Sequence, residues 1–197
     1  MLHEIAKKYG YGKIKKYIDN YAEIFSPLQG NQINILELGV FDGGSLKMWH
    51  TYFDYARIIG LDWGKKADFT GFEDRIQMYY GDQADINVLQ QIVNDYKSFD
   101  VIIDDAAHTA DKAKSSYEFL FPHLKSGGYY VIEDWGTGYW GSWKDGKDFE
   151  PQHYSGMVGF IKDLVDQAGL DDIGDKSKTS PFEYLRISHG QAIIKKK

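Results

Sequence analysis

Apolar and polar positions follow two rhythms along the chain. Five short runs are nearly continuously apolar and end in turn residues: "INILELGV" (33–40), "ARIIGLD" (56–62), "RIQMYYGD" (75–82), "FDVIIDD" (99–105) and "GYYVIED" (128–134). Strands covered on both faces have this pattern, because neither face has to meet water. Between the runs, 44–53, 85–96 and 110–123 are helix candidates. Near the start, Leu2, Ile5, Ile14, Ile18, Tyr21 and Phe25 recur at partly helical spacing, broken by the glycines of "KYGYGK". That predicts two short helices joined by a glycine turn. Strands alternating with helices imply crossover units, hence a mostly parallel sheet with helices on both faces. The rhythm changes after a helix expected at about 155–168. There "FEYLRIS" and "QAIIKK" are separated only by "HG", which predicts an antiparallel hairpin.

With 197 residues, 43% of them hydrophobic, the chain can bury one substantial core, and a single domain spanning 1–197 is expected. Its parts are an N-terminal helical segment (1–30), a strand–helix core (31–134), an aromatic loop (135–154) and a helix with the hairpin (155–197). A net charge of −6 argues against a nucleic-acid partner, which needs a basic footprint. The lysines at 7, 8, 13, 15 and 16, and those at 195–197, read as solvated faces or tails. With no cysteine, a metal would have to use oxygen and nitrogen ligands. No stretch approaches the roughly 18 apolar residues of a membrane span, and "MLHEIAKKYG" lacks a signal-peptide core. A cytoplasmic protein without a membrane partner is expected.

The first strand leads into "LELGVFDGGS". A pyrophosphate loop needs two glycines one residue apart and a third after two more, whereas Gly39 is followed by three residues before Gly43. Asp42 would also place negative charge where phosphates sit. A phosphate-free cofactor with a positive centre suits this loop better. Here the chain resembles class I S-adenosylmethionine-dependent methyltransferases, whose first motif runs acidic residue, apolar residue, glycine. The resemblance implies a Rossmann-like seven-stranded sheet closed by an antiparallel hairpin. It also implies cofactor roles at four positions. Gly39 would let the methionine part approach the backbone, and Glu37 would support the loop. Asp62 would accept the ribose hydroxyls, and Asp82 the adenine amine. A plain turn at Gly39 and helix capping by Asp82 remain the alternative readings.

The fourth and fifth strands end in "DDAAH" and "IEDWGTGYW". As parallel neighbours they would bring Asp104, Asp105, Glu133 and Asp134 to one edge, where crowded carboxylates raise one another's pKa. A divalent cation such as magnesium relieves that repulsion, and Asp105, Glu133 and Asp134 are the candidate ligands. Glu133 and Asp134 can share an ion only if the backbone leaves strand geometry between them. Otherwise Asp134 is a turn carboxylate, and Asp104 is a capping or supporting group.

"HEIAKKYG", "LELGVFDGGSLKMW", "DVIIDDAAH" and "FLFPHLKSGGYYVIEDWGTGYW" together resemble the macrolide-sugar O-methyltransferases that act on mycinamicin and tylosin precursors. The match covers most of residues 1–140. It implies magnesium on Asp105, Glu133 and Asp134, with His108 as the base. The chemistry agrees: a metal favours the alkoxide of a weakly acidic sugar hydroxyl, and an imidazole, with an ordinary pKa of about 6.5, can take the proton. The expected activity is therefore metal-assisted O-methylation of a sugar or glycosylated small molecule. The alternatives are a metal-independent O- or N-methyltransferase, or a cofactor binder without transferase activity. Relatives oligomerise, so a homo-oligomer is compatible with the resemblance. The chain departs from its relatives in "YGYGK", where they often have threonine and aspartate after the first tyrosine–glycine pair. It is also expected to lack the extra N-terminal domain of some of them. The loop's Trp135, Tyr139, Trp140 and Trp143 could stack on a sugar or simply pack the loop down.

Overall fold

A computed structural model of the protein describes residues 1–9, 12–173 and 177–197. Seven strands form one sheet: β1 (Asn34–Leu38), β2 (Arg57–Asp62), β3 (Ile76–Tyr80), β4 (Phe99–Asp104), β5 (Leu124–Glu133), β6 (Phe182–Ser188) and β7 (Gln191–Lys196). Their order is β3-β2-β1-β4-β5-β7-β6, with the first five parallel and β7 antiparallel to both its neighbours. The chain runs outward from β1 to β3, then returns to the other side of β1 at β4. That reversal opens a crevice at the carboxyl ends of β1 and β4, where open α/β sheets bind ligands.

Side chains alternate across each strand, so the sheet has two apolar faces. Ile35, Ile58, Val101, Ile103 and Val131 face α1 (Leu2–Lys8), α2 (Lys15–Phe25) and α3 (Gly44–Tyr52). Leu36, Ile59, Ile102, Tyr130 and Ile132 face α4 (Ile86–Tyr96), α5 (Ala110–Leu120) and α6 (Gly156–Ala168). The sheet is therefore covered on both sides, as its apolar runs predict. Of the glycine turn expected between the first two helices, residues 10 and 11 lie outside the described residues. No helix among the described residues is long and apolar enough to cross a membrane.

Two boundaries depart from expectation. The helix expected over 110–123 stops at Leu120 and passes into a 3-10 turn, Phe121–His123. Pro122, which has no N–H to donate, sits inside that turn. β5 starts at Leu124, before the expected 128, and carries "KSGG" within it. The hairpin turn at Gly190 also fixes a helix. Gly190 has φ 70°, and a Cβ there would lie 1.6 Å from the Tyr17 hydroxyl. Only glycine lets the hairpin approach α2 this closely, and α2 is thereby held over the carboxyl ends of the strands.

Candidate active site

Two cavities open at these carboxyl ends. One, of about 430 Å³, is lined by Gly39, Phe41, Asp62, Asp82, Gln83 and Asp105 among others. The second, of about 380 Å³, is lined by Lys13, Tyr17, Glu37, Asp105, Glu133 and Asp134 among others. Gly39, Phe41 and Asp105 line both. A group held in the first cavity thus meets one held in the second across the Gly39–Asp105 contact.

The loop after β1 is held mainly by Asp62. Its Oδ2 accepts from the backbone N–H of Val40 at 2.8 Å and of Phe41 at 2.9 Å, while its Oδ1 accepts from Gly64 at 2.7 Å. Gly39 has φ 85°, and a Cβ there would lie 2.1 Å from the Asp105 carbonyl oxygen. This glycine is therefore required by the close approach of the β1 and β4 loops themselves. Glu37 is buried and points to the helix after the loop, accepting from Ser45 Oγ at 2.5 Å and Trp49 Nε1 at 2.6 Å. Burial pushes its carboxyl above the usual range. Asp82 caps its own turn through the Ala84 N–H at 2.9 Å and pairs with Lys112, whose hydrogen bond lowers the carboxyl's pKa. Both partners line the first cavity. That cavity's volume falls within the range of small-molecule sites. Its lining carries Asp62, Asp82 and Asp105 beside Lys66 and Lys112.

In the second cavity the acids are divided among partners. Asp104 lies apart, buried, accepting from Gln83 Nε2 at 3.0 and 3.1 Å and from Ser116 Oγ at 3.0 Å. Burial raises its pKa against those bonds. It supports the next turn through Gln83, whose Oε1 accepts from the Ala107 N–H at 2.7 Å. The backbone leaves strand geometry at Asp134, where φ is 53°, meeting the condition set by side-chain alternation. Asp134 Oδ1 accepts from Tyr17 OH at 2.6 Å, and Glu133 Oε1 accepts from Tyr21 OH. Lys13 Nζ lies 2.5 Å from both Asp105 Oδ2 and Glu133 Oε2.

Burial alone would favour a neutral amine, but Asp105 and Glu133 outweigh it and hold Lys13 well above the ordinary lysine range. Burial, reinforced by Asp105, pushes Glu133 up, and Lys13 opposes that rise. Lys13 is therefore no solvated lysine: its side chain is 7% exposed. The basic-patch reading fails here because the lysine folds inward onto Asp105 and Glu133, with Glu37 adding to their field. It fails again at Lys196, which lies in β7 and donates to the carbonyls of Phe121, Pro122 and Leu124.

His108 Nε2 lies 3.8 Å from Asp105 Oδ1 and 3.7 Å from Asp134 Oδ2, too far for hydrogen bonds. These three residues offer donor atoms within 4.8 Å of one another. Two carboxylate oxygens and an imidazole nitrogen this close together are a donor set that a divalent cation accepts. Glu133 is not brought into that group; its oxygens go to Lys13 and Tyr21. His108 itself has φ 49°. Its carbonyl oxygen accepts from Trp143 Nε1 at 2.9 Å and from Thr137 Oγ1 at 3.3 Å. The aromatic loop thus packs onto the His108 turn, with Trp143 beside the imidazole. Trp135 donates to the Ser188 carbonyl, while Trp140 stays exposed. Among the described residues, three of the five non-glycine positions with positive φ are Phe41, His108 and Asp134. Each sits just beyond a strand end around the two cavities, and strain of this kind concentrates at functional sites.

Lys13, Tyr17, Tyr21 and Gln83 escape a reading by motif. Tyr17 and Tyr21 are spaced four residues apart on α2, which puts them on one helical face, while Lys13 lies just ahead of that helix. That spacing was the available signal, but a helix face of tyrosines reads equally as core.

Residues 36–135 match a family model described as a methyltransferase domain. The chain is 32% identical to the mycinamicin VI 2''-O-methyltransferase of Micromonospora griseorubida, over 99% of this chain and 52% of that protein. It is also 32% identical to the demethylmacrocin O-methyltransferase of Streptomyces fradiae, over 99% of this chain and 53% of that protein. Among solved structures it superposes with a TM-score of 0.87 and 30% identity on MycE methyltransferase in complex with Mg, SAH and mycinamycin VI, covering 99% of this chain and 53% of that one. The chain spans about half the length of the curated relatives it matches.

Proposed function

The chain belongs to the methyltransferase-domain family, and from that premise we propose that it transfers a methyl group from S-adenosylmethionine to a hydroxyl of a sugar or glycosylated small molecule, assisted by magnesium. The observation that carries the reading is the pair of cavities meeting at Gly39, Phe41 and Asp105. One has the size and the aspartates for the donor, and the other gathers carboxylates for the acceptor, two of which, Asp105 and Asp134, lie 3.8 and 3.7 Å from the His108 imidazole. Relatives that methylate glycosylated natural products support the acceptor class.

Asp62 and Gly39 keep the donor loop in place, and Asp62 and Asp82 line the wall that would meet the ribose and adenine. Asp105 and Asp134 would hold the magnesium ion, with Glu133 beside them. The bound ion supplies Lewis acidity that favours the alkoxide form of the acceptor hydroxyl. His108 is assigned as the base and not as a third ligand: its Nε2, 3.8 Å from Asp105 and 3.7 Å from Asp134, accepts the hydroxyl proton. Trp143 and Thr137 hold the His108 backbone while this happens. Holding acceptor oxygen and donor methyl on either side of Asp105 contributes to the rate through orientation. The exposed ring of Trp140 would be available to stack on the acceptor's sugar.

A metal-independent reading has one observation in its favour: Lys13 already places a positive charge between Asp105 and Glu133. One assay separates the two. Methyl transfer from S-adenosylmethionine to a panel of glycosides is followed by mass spectrometry, with and without a chelator. The metal-assisted reading expects product that disappears on chelation and returns with added magnesium. A rate indifferent to chelator would leave the metal-independent reading. No methylated glycoside from a protein that binds the cofactor would contradict the acceptor class.

A further inference from the structure

We propose that Lys13 is a tethered cation that competes with the divalent ion for Asp105 and Glu133, so that Glu133 joins the ligands only when the lysine withdraws. The inference rests on the metal-assisted reading of the same site. Its basis is the geometry of one nitrogen: Lys13 Nζ stands 2.5 Å from Asp105 Oδ2 and 2.5 Å from Glu133 Oε2. A metal bound to those two oxygens would lie where the ammonium lies, and two cations cannot share the position. With the lysine in, the oxygens left facing His108 are Asp105 Oδ1 and Asp134 Oδ2. With the lysine out, Asp105 Oδ2 and Glu133 Oε2 are added to them.

The surroundings are built for such an exchange. Tyr17 and Tyr21 lie on α2 and hold the other oxygens of Asp134 and Glu133. They keep both carboxylates oriented whether or not the lysine is present. Lys13 lies ahead of that helix, next to Gly12, around which a Cβ would find nothing within 4 Å. A lysine ammonium is a compact charge on a flexible stem, so it can retreat without moving the helix. The lysine also lines the second cavity, so an entering acceptor would contact it directly. Metal affinity would then depend on the state of the acceptor cavity.

The test is calorimetric titration of Mn²⁺ into the wild type and into Lys13→Met, Lys13→Gln and Lys13→Arg. S-adenosylhomocysteine binding and thermal melting of each variant report on folding. Competition predicts at least about tenfold tighter Mn²⁺ binding in Lys13→Met and Lys13→Gln. It predicts weaker binding in Lys13→Arg, whose guanidinium fork grips two carboxylates more firmly. A double-variant cycle separates displacement from a general loss of positive charge: the affinity lost through Glu133→Gln should be at least tenfold greater in the Lys13→Met background than in wild type. Unchanged or weaker Mn²⁺ binding in folded Lys13→Met and Lys13→Gln overturns the proposal, as does an additive cycle. If neither neutral variant folds, Lys13→Arg binding Mn²⁺ as tightly as wild type overturns it. A wild type that fails to bind S-adenosylhomocysteine would instead contradict the methyltransferase reading and leave the lysine comparison intact.

Discussion

The two halves of the carboxyl edge are built differently. On the β1–β2–β3 side, the acids mostly hold backbone N–H groups over short separations. Asp62 serves Val40 and Phe41, 22 and 21 residues away, and Gly64, while Asp82 serves Ala84 and pairs with Lys112, 30 residues on. On the β4–β5 side, the acids are held from far along the chain, Asp105 from 92 residues away and Glu133 from 120 by the same lysine. The first half is a loop anchored through its own backbone. The second is a set of charges held in balance by a helix that the hairpin clamps through Gly190. A local construction tolerates loss of a single polar contact, whereas a balanced buried cluster transmits it.

Variants can break that contrast at several strengths. His108→Ala removes the proposed base and should lower turnover by about 10²–10⁴-fold while S-adenosylhomocysteine affinity stays within about twofold. Steady-state kinetics beside calorimetry would check this, and unchanged turnover would remove the base assignment. Gln83→Ala leaves buried Asp104 with the Ser116 hydroxyl as side-chain donor and frees the Ala107 N–H. It should cost about 1–3 kcal/mol, seen as a melting temperature lower by roughly 2–10 °C. Asp62→Ala should weaken cofactor binding by about tenfold, since the loop keeps its Gly39 contact but loses two backbone anchors. The smallest effect belongs to Asp82→Asn. Because Asp82 already caps its turn and pairs with Lys112, cofactor affinity should change by less than about threefold. A loss of tenfold or more would mean the carboxylate leaves Lys112 for the adenine amine.

Much of this molecule can be read locally. The five apolar runs end in the residues that line the crevice, because a parallel strand buried on both faces must stop where its carboxylates begin. The "HG" between two short runs specifies the hairpin by turn chemistry alone. The nearness of Asp105 and His108 follows in the same way from their places three residues apart on one loop. What could not be read is who holds the acids. Lys13 lies among other lysines, and its inward turn depends on a helix docked by a hairpin more than 170 residues later. Glu133 reads as a metal ligand from its place beside Asp134, and its capture by Lys13 and Tyr21 depends on that same docking. The apolar run that marks β5 begins at 128, since "KSGG" before it holds no large apolar residue, yet pairing with β4 carries the strand back to Leu124.

The most direct test of the account is calorimetric titration of S-adenosylhomocysteine, with and without magnesium, beside the oxidised nicotinamide cofactor as control. The account predicts micromolar, one-to-one binding of S-adenosylhomocysteine, weakened in Asp62→Ala, and none of the nicotinamide. Absence of S-adenosylhomocysteine binding, or preference for the nicotinamide, would contradict it.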